Sequence, residues 1–167
     1  MRRVNERHAV RELTWLINEN FGPGDMHLTL TYRNPAPDEA EAKRELQNYL
    51  DRLRRIYRKA GQELKYIAAT EYKGRRIHHH LIINAIDVQK IRTAWKRGMP
   101  KMVMLDESGS YWRLAAYLRK ELQRSSQAGT ARIQTSRNLK RPVPQKKLIS
   151  AKSFRKDASP HVKYQGH

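Results

Sequence analysis

The sequence contains no cysteine, which excludes disulfide bonds, thiolate catalysis and cysteine-ligated zinc sites. It also lacks any apolar run approaching the roughly 18 residues that a transmembrane helix requires. The basic start, Met1-Arg2-Arg3, is not followed by an apolar stretch, so a secretory signal peptide is not expected. These absences predict a cytoplasmic protein without a membrane partner.

Acidic residues are scarce. The 167 residues include 16 Asp+Glu against 35 Lys+Arg, which gives a net charge of +19, and the mean hydropathy is -0.90. Such a chain repels itself unless it meets anions, so nucleic acid is the expected partner, ahead of an acidic membrane surface. After residue 124, ten basic residues stand against one acid, Asp157. We therefore expect a domain over residues 1–124 and a basic extension over residues 125–167, either packed on the domain or partly disordered.

Hydrophobic periodicity predicts alternating helices and strands over the first 124 residues. Asp38 is the expected N-cap of the second helix, and Lys73-Gly74-Arg75 is a hairpin signal. Helices are predicted over residues 3–20, 35–60, 87–96 and 111–124, and strands over residues 26–32, 64–72, 76–84 and 101–105, the last at a sheet edge. The order favours an α+β fold, an antiparallel β-sheet with helices packed mainly on one face.

Three consecutive histidines, His78, His79 and His80, lie inside the predicted strand 76–84. Because successive strand side chains point to opposite faces, His78 and His80 project together, about 7 Å apart along the backbone. His79 shares its face with apolar neighbours and is expected to be a core or boundary residue. The paired imidazoles can bind one divalent metal; the alternatives are exposed histidines or phosphate contacts without metal.

Glu71 is the only acid in either hairpin strand. An even turn centred on Gly74-Arg75 places Glu71 across from His78, and a Lys73-Gly74 turn pairs it with Arg76 on the same face. A turn with an odd number of residues would place Glu71 on the opposite face of the sheet from His78. The first two registers predict a site of two histidines and one carboxylate, suited to magnesium or manganese acting on a phosphate.

Tyr117 lies outside the apolar stripe of the last predicted helix. Its neighbours four residues before, three residues after and seven residues after are Arg113, Lys120 and Arg124, so it stands in a basic row. A phenol beside cations can lose its proton more readily and attack phosphorus. The alternatives are a base-stacking platform or a boundary tyrosine. Tyr111, at the helix start on the apolar side, is expected to have a packing role.

These motifs together resemble the HUH superfamily of single-strand endonucleases, in its rolling-circle replication initiator (Rep) branch of bacterial plasmids, phages and integrative elements. The resemblance covers roughly residues 20–124, with its motifs in family order. The stretch MHLTLTY is similar to the first motif, His78-His79-His80 with Glu71 to the second, and Tyr117-Leu118-Arg119-Lys120 to the third. Residues 135–139 look like a segment that follows the third motif in such initiators.

The resemblance implies a ferredoxin- or RRM-like palm that nicks origin or hairpin single-stranded DNA. His78, His80 and Glu71 would hold one Mg²⁺ or Mn²⁺. Tyr117 would form a 5′-phosphotyrosine and release a 3′-OH, with Lys120 stabilising charge. A host helicase and polymerase are the implied partners, because no helicase domain follows. The basic residues expected to contact DNA are Arg75, Arg76, Arg113, Arg124, Arg137, Lys140 and Arg141.

Two alternatives remain open from the sequence. A transposase or relaxase of the same superfamily would use the same chemistry in transposition or transfer. A nucleic-acid-binding module without chemistry would use the same sheet, aromatic residues and basic extension, and its binding would be insensitive to EDTA.

Overall fold

The computed structural model describes residues 2–72, 76–125, 133–141 and 143. The helices in these residues are α1 (Arg2–Asn20), α2 (Glu39–Lys59), α3 (Val88–Ala94) and α4 (Trp112–Ser125). The strands are β1 (Met26–Leu30), β2 (Tyr66–Glu71), β3 (His78–Ile83), β4 (Lys101–Met104) and β5 (Gln134–Thr135). No helix in the described part of the chain is long and apolar enough to cross a membrane.

The five strands form one antiparallel sheet in the order β4-β1-β3-β2-β5. This order confirms the α+β class and the edge position of β4. Glu71 pairs with His78 across the hairpin, which is the register that the Gly74-Arg75 turn predicts. The turn residues 73–75 themselves lie outside the described residues.

The first sheet face packs against α2 and α3. Leu28, Ala68 and Leu81 lie on this face within the larger hydrophobic core. Helix α2 buries the predicted apolar stripe: Leu46, Leu50, Leu53 and Tyr57. Its N-cap is the predicted Asp38, whose carboxylate accepts a hydrogen bond from the Glu41 backbone N–H at 2.7 Å. This cap makes the helix begin at Glu39, four residues later than the sequence pattern indicates.

The second sheet face packs against α1 and α4. Ile67 and Ile82 share a separate core with Leu118 of α4 and Ile17 of α1. Helices therefore cover both faces, whereas the sequence pattern favours mainly one. The reason lies in the strands: on β3 and β2 the second face is apolar at Ile82 and Ile67 and polar at the histidine end. Only its apolar part needs a helical cover.

Strand β1 ends at Leu30, two residues earlier than its alternation indicates. The Thr31 carbonyl accepts a hydrogen bond from Trp95 Nε1 at 2.9 Å, and the Arg33 N–H donates to the Arg97 carbonyl at 2.7 Å. The backbone thus leaves the strand ladder for the α3–β4 connection.

Residues 133–141 of the basic extension pack on the sheet and on α1. Strand β5 pairs with β2, and the Ser136 N–H donates to the Tyr66 carbonyl at 3.0 Å. At the end of α1, Asn20 Oδ1 accepts from the Lys140 N–H and Asn20 Nδ2 donates to the Lys140 carbonyl, both at 2.7 Å. Leu139 is buried in the second core.

Candidate active site

The outer histidines of β3 and the tyrosine of α4 meet on the second sheet face. The ring centroids of His78 and His80 are 4.9 Å apart, and those of His80 and Tyr117 are 5.3 Å apart in an edge-to-face arrangement. Strand alternation and the packing of α4 over Ile67 and Ile82 bring these side chains together. A phenol therefore lies beside the imidazole of His80, which in turn lies beside that of His78.

His79 points to the opposite face, as the alternation predicts, and is fully buried. Its Nε2 lies 2.6 Å from Tyr32 Oη, and its Nδ1 lies 2.7 Å from Thr70 Oγ1. Burial, with a smaller contribution from His78, lowers the pKa of His79 to about 3. His79 is a neutral core residue with both ring nitrogens hydrogen-bonded.

Glu71 and His78 form a close pair across the hairpin. Glu71 Oε2 lies 3.1 Å from His78 Nε2, and the Glu71 side chain is only 8% exposed. His78 Nδ1 lies 3.1 Å from the Arg76 carbonyl oxygen; a carbonyl only accepts, so Nδ1 carries the hydrogen of that bond. His78 Nε2 and the carboxylate can therefore share either a proton or a cation between them.

Glu121 of α4 completes a group that could hold a metal ion. Within the described residues, ligand atoms of Glu71, His78 and Glu121 all lie within 4.8 Å of one another. The sequence prediction missed Glu121. The available signal was its position four residues after Tyr117, which places both on the same side of the helix.

His80, expected to be a metal ligand, is not a member of this group; its ring lies beside that of His78, and one of its nitrogens is unsatisfied. Its Nε2 is the one buried side-chain nitrogen or oxygen among the described residues that has no hydrogen-bond partner. Burial, followed by the charges of His27 and His78, lowers the pKa of His80 to about 3, so the ring is neutral at pH 7. A buried nitrogen of this kind costs about 1–3 kcal/mol unless a ligand or donor satisfies it.

His27 of β1 is a second residue that the sequence prediction did not include. Its Nε2 lies 3.1 Å from His80 Nδ1, and the two rings stack with centroids 5.3 Å apart. Its ring also contacts Tyr117 edge-on at 6.3 Å. Burial and then Lys101 lower the pKa of His27 to about 4. The alternation of MHLTLTY predicts that His27 lies on the polar face of β1. It does not predict the contact between His27 and His80.

The basic residues proposed to contact DNA are spread over the molecule. Arg113 is exposed, four residues before Tyr117, and Lys120 is exposed three residues after it. Arg76 is exposed just before β3. The remaining described residues, Arg137, Lys140 and Arg141, are exposed on the 133–141 segment. Arg75 and the side chain of Arg124 lie outside the described residues.

The part of the 133–141 segment from Ser136 onward is remote from Glu71 and His78. Ser136 bonds to Tyr66 at one end of β2, and Glu71 lies at the other end, five residues along the strand. At roughly 3.3 Å per residue the separation is about 16 Å. The structure therefore does not bring Arg137 to the side chains around Tyr117.

The comparisons with known proteins identify a family. The family model for the replication-associated protein ORF2 matches residues 25–122. This range includes β1 and β3, the strands that carry the histidines of the site, and the part of α4 that carries Tyr117 and Glu121. No curated protein and no solved structure matches the chain. Since the family match spans more than half of its length, the chain belongs to the replication-associated protein ORF2 family, and its role is in DNA replication.

Proposed function

We propose that this protein is a metal-dependent endonuclease that nicks single-stranded DNA at a replication origin by tyrosine transesterification. The observation that carries the proposal is the position of Tyr117. Its ring lies edge-on to His80 at 5.3 Å, beside the group of Glu71, His78 and Glu121. A phenol nucleophile and a set of cation ligands thus occupy one sheet face.

The donor set suits a divalent cation of the magnesium or manganese type. Glu71 and Glu121 supply carboxylate oxygens, and His78 supplies an imidazole nitrogen. Manganese accepts this mixture, and magnesium favours its oxygens. The buried Nε2 of His80 has no other partner in the described residues, so it is available as a further ligand. A cation bound there would polarise the scissile phosphate.

Tyr117 is the proposed nucleophile. Its Oη forms a bond to phosphorus, and the bond from phosphorus to the 3′ oxygen breaks. The phenol gives up its proton and the leaving oxygen gains one, so the products are a 5′-phosphotyrosine and a free 3′-OH. Since one phosphodiester replaces another, the step can reverse and rejoin ends without ATP.

Side chains around Tyr117 support this step through charge and access. Tyr117 is 43% exposed, so a DNA strand can reach it from solvent. Lys120 lies about one helical turn away and is exposed. Its ammonium is proposed to stabilise the charge that develops on the phosphate or on the tyrosinate. The free 3′-OH would then prime rolling-circle synthesis.

The test is covalent capture. Wild type, Tyr117→Phe and Tyr111→Phe are incubated with a pool of single-stranded DNA and Mn²⁺, and any adduct is mapped by mass spectrometry. We expect a phosphodeoxynucleotide on Tyr117 in wild type and in Tyr111→Phe, and none in Tyr117→Phe. Tyr111 is the matched control because it lies just before the same helix but is buried, 6% exposed, with its Oη donating to the Asp106 carbonyl.

Two results would reject the proposal. An adduct that persists in Tyr117→Phe would assign the chemistry to another residue. The absence of any tyrosine adduct in wild type, together with DNA binding that EDTA does not change, would identify a binding module without chemistry.

A further inference from the structure

We infer that a groove beside Tyr117 binds an unpaired DNA base next to the scissile phosphate, with Trp112 as the stacking surface. This inference rests on the proposed function, because it names how the substrate is held there. The groove has a volume of about 460 Å³ and runs between β4 and the start of α4. We call it the β4–α4 groove and define it by His27, Val103, Met104, Trp112 and Arg113.

The groove exposes apolar surface in a strongly basic protein. Trp112 is 56% exposed, and Val103 and Met104 are 51% and 64% exposed. Helix α4 packs through Ala115, Leu118 and Leu122, so the Trp112 ring is not part of its core contact. A clustered exposed patch of this kind marks a binding surface.

A positive charge accompanies the aromatic ring. The Arg113 guanidinium lies 5.6 Å from the Trp112 ring centroid, and Arg113 is one helical turn before Tyr117. An aromatic face stacks with any base, and a nearby arginine meets the phosphate. The combination matches a nucleotide better than it matches an apolar peptide.

The groove is continuous with the candidate active site through His27. His27 lines the groove, stacks on His80 and touches Tyr117 edge-on. A strand whose phosphate lies at Tyr117 therefore has its neighbouring base at the mouth of the groove. This continuity makes single-stranded DNA the occupant that we assign.

The walls of the groove are held in place before any ligand arrives. The Tyr111 Oη donates to the Asp106 carbonyl at 2.8 Å, and the Tyr111 N–H donates to Asn18 Oδ1 at 2.9 Å. The Ser108 N–H donates to the Asp106 carboxylate at 3.1 Å. A preformed wall lowers the ordering cost of binding.

The test compares two tryptophans in similar surroundings. Trp15 of α1 is 49% exposed and has the Arg11 guanidinium 5.4 Å from its ring centroid, but it does not line the groove. Binding of a 20-residue oligothymidylate is measured in EDTA for wild type, Trp112→Ala, Trp112→Phe and Trp15→Ala. Thermal unfolding of each variant verifies that it is folded.

We expect Trp112→Ala to weaken binding by about tenfold without changing the salt dependence, because stacking is not electrostatic. Trp112→Phe should recover most of the affinity, and Trp15→Ala should bind as wild type does. The oligonucleotide should quench tryptophan fluorescence in Trp15→Ala but much less in Trp112→Ala.

The outcomes separate this inference from the proposed function. If wild type and Trp112→Ala have equal affinity and equal Tyr117 adduct yield, the groove inference is overturned and the proposed function stands. If wild type forms no adduct but Trp112→Ala loses binding, the proposed function fails while base stacking in the groove is supported. If Trp112→Ala only abolishes self-association, the groove is an interface between copies of this chain and the inference is overturned.

Discussion

At the scale of single residues, the three consecutive histidines have three different environments. His78 pairs with Glu71, His79 is buried on the opposite face, and His80 stacks on His27. The pleat of one strand separates them, because each step along it changes the face. Identical neighbours in sequence therefore have different chemical roles available to them.

Glu121 gives the first residue-scale prediction. Glu121→Gln removes a negative ligand from the proposed metal group and should weaken Mn²⁺ binding by about tenfold or more. Binding is measured by electron paramagnetic resonance of free Mn²⁺. Glu19→Gln is the matched control, because Glu19 is an exposed acid near the end of α1. Unchanged Mn²⁺ affinity in Glu121→Gln would remove Glu121 from the ligand set.

Part of the site could be predicted from residue order and part could not. The placement of His78, His80 and Glu71 depends on strand alternation and hairpin register, which are local properties. The contacts of Glu121 and His27 depend on how α4 docks on the sheet and on which strand neighbours β3. No local pattern records these tertiary contacts.

At the scale of elements, Asn20 connects the end of α1 to the 133–141 segment through hydrogen bonds. Its side chain makes hydrogen bonds to both backbone groups of Lys140 and to the Leu16 carbonyl at 2.8 Å. Asn20 is 9% exposed. Few water molecules can therefore replace these bonds.

Asn20→Ala should lower the free energy of unfolding by about 1–3 kcal/mol, since it removes the hydrogen bonds from the buried Asn20 side chain to both backbone groups of Lys140. The measurement is chemical denaturation followed by circular dichroism. Asn48→Ala is the control, because Asn48 is exposed on α2. Equal stability of the two variants would mean that the Asn20–Lys140 hydrogen bonds contribute nothing to the stability of the fold.

Hydrophobic periodicity predicts the order of the four helices and the first four strands, but it does not predict β5. It has two residues, too few for an alternation to be visible. Its place is decided by Ile67 and Ala68, which pair with it from β2. The early end of β1 depends likewise on Trp95, a distant donor to the Thr31 carbonyl.

At the scale of the whole molecule, the positive charge lies on separate surfaces. Arg113 and Lys120 flank Tyr117, while Arg137 lies beside Tyr66 at the far end of β2. Residues 144–167 carry six more basic residues and one acid. We expect the charge near Tyr117 to act on the reaction and the remaining charge to act on affinity.

A chain ending at Val143 tests this division. Because each contact with single-stranded DNA contributes about 0.7 to the slope of log affinity against log salt, losing six cations should reduce the slope by up to about 4. Affinity should fall, whereas Tyr117 adduct yield at saturating DNA should not.

The control is a full-length variant in which the same six basic residues are replaced by glutamine. It should behave like the shortened chain if charge is responsible. An unchanged salt slope in both variants would show that these residues do not contact the DNA.

The pairing of β5 with β2 has a consequence for biosynthesis. Ile67 and Ala68 of β2 emerge from the ribosome long before Gln134 and Thr135, their partners. During that interval β2 is an uncovered sheet edge, and such edges pair readily with other chains. The edge of β2 is closed only once synthesis has passed Gln134 and Thr135, so we expect chains that stop before this point to aggregate more readily.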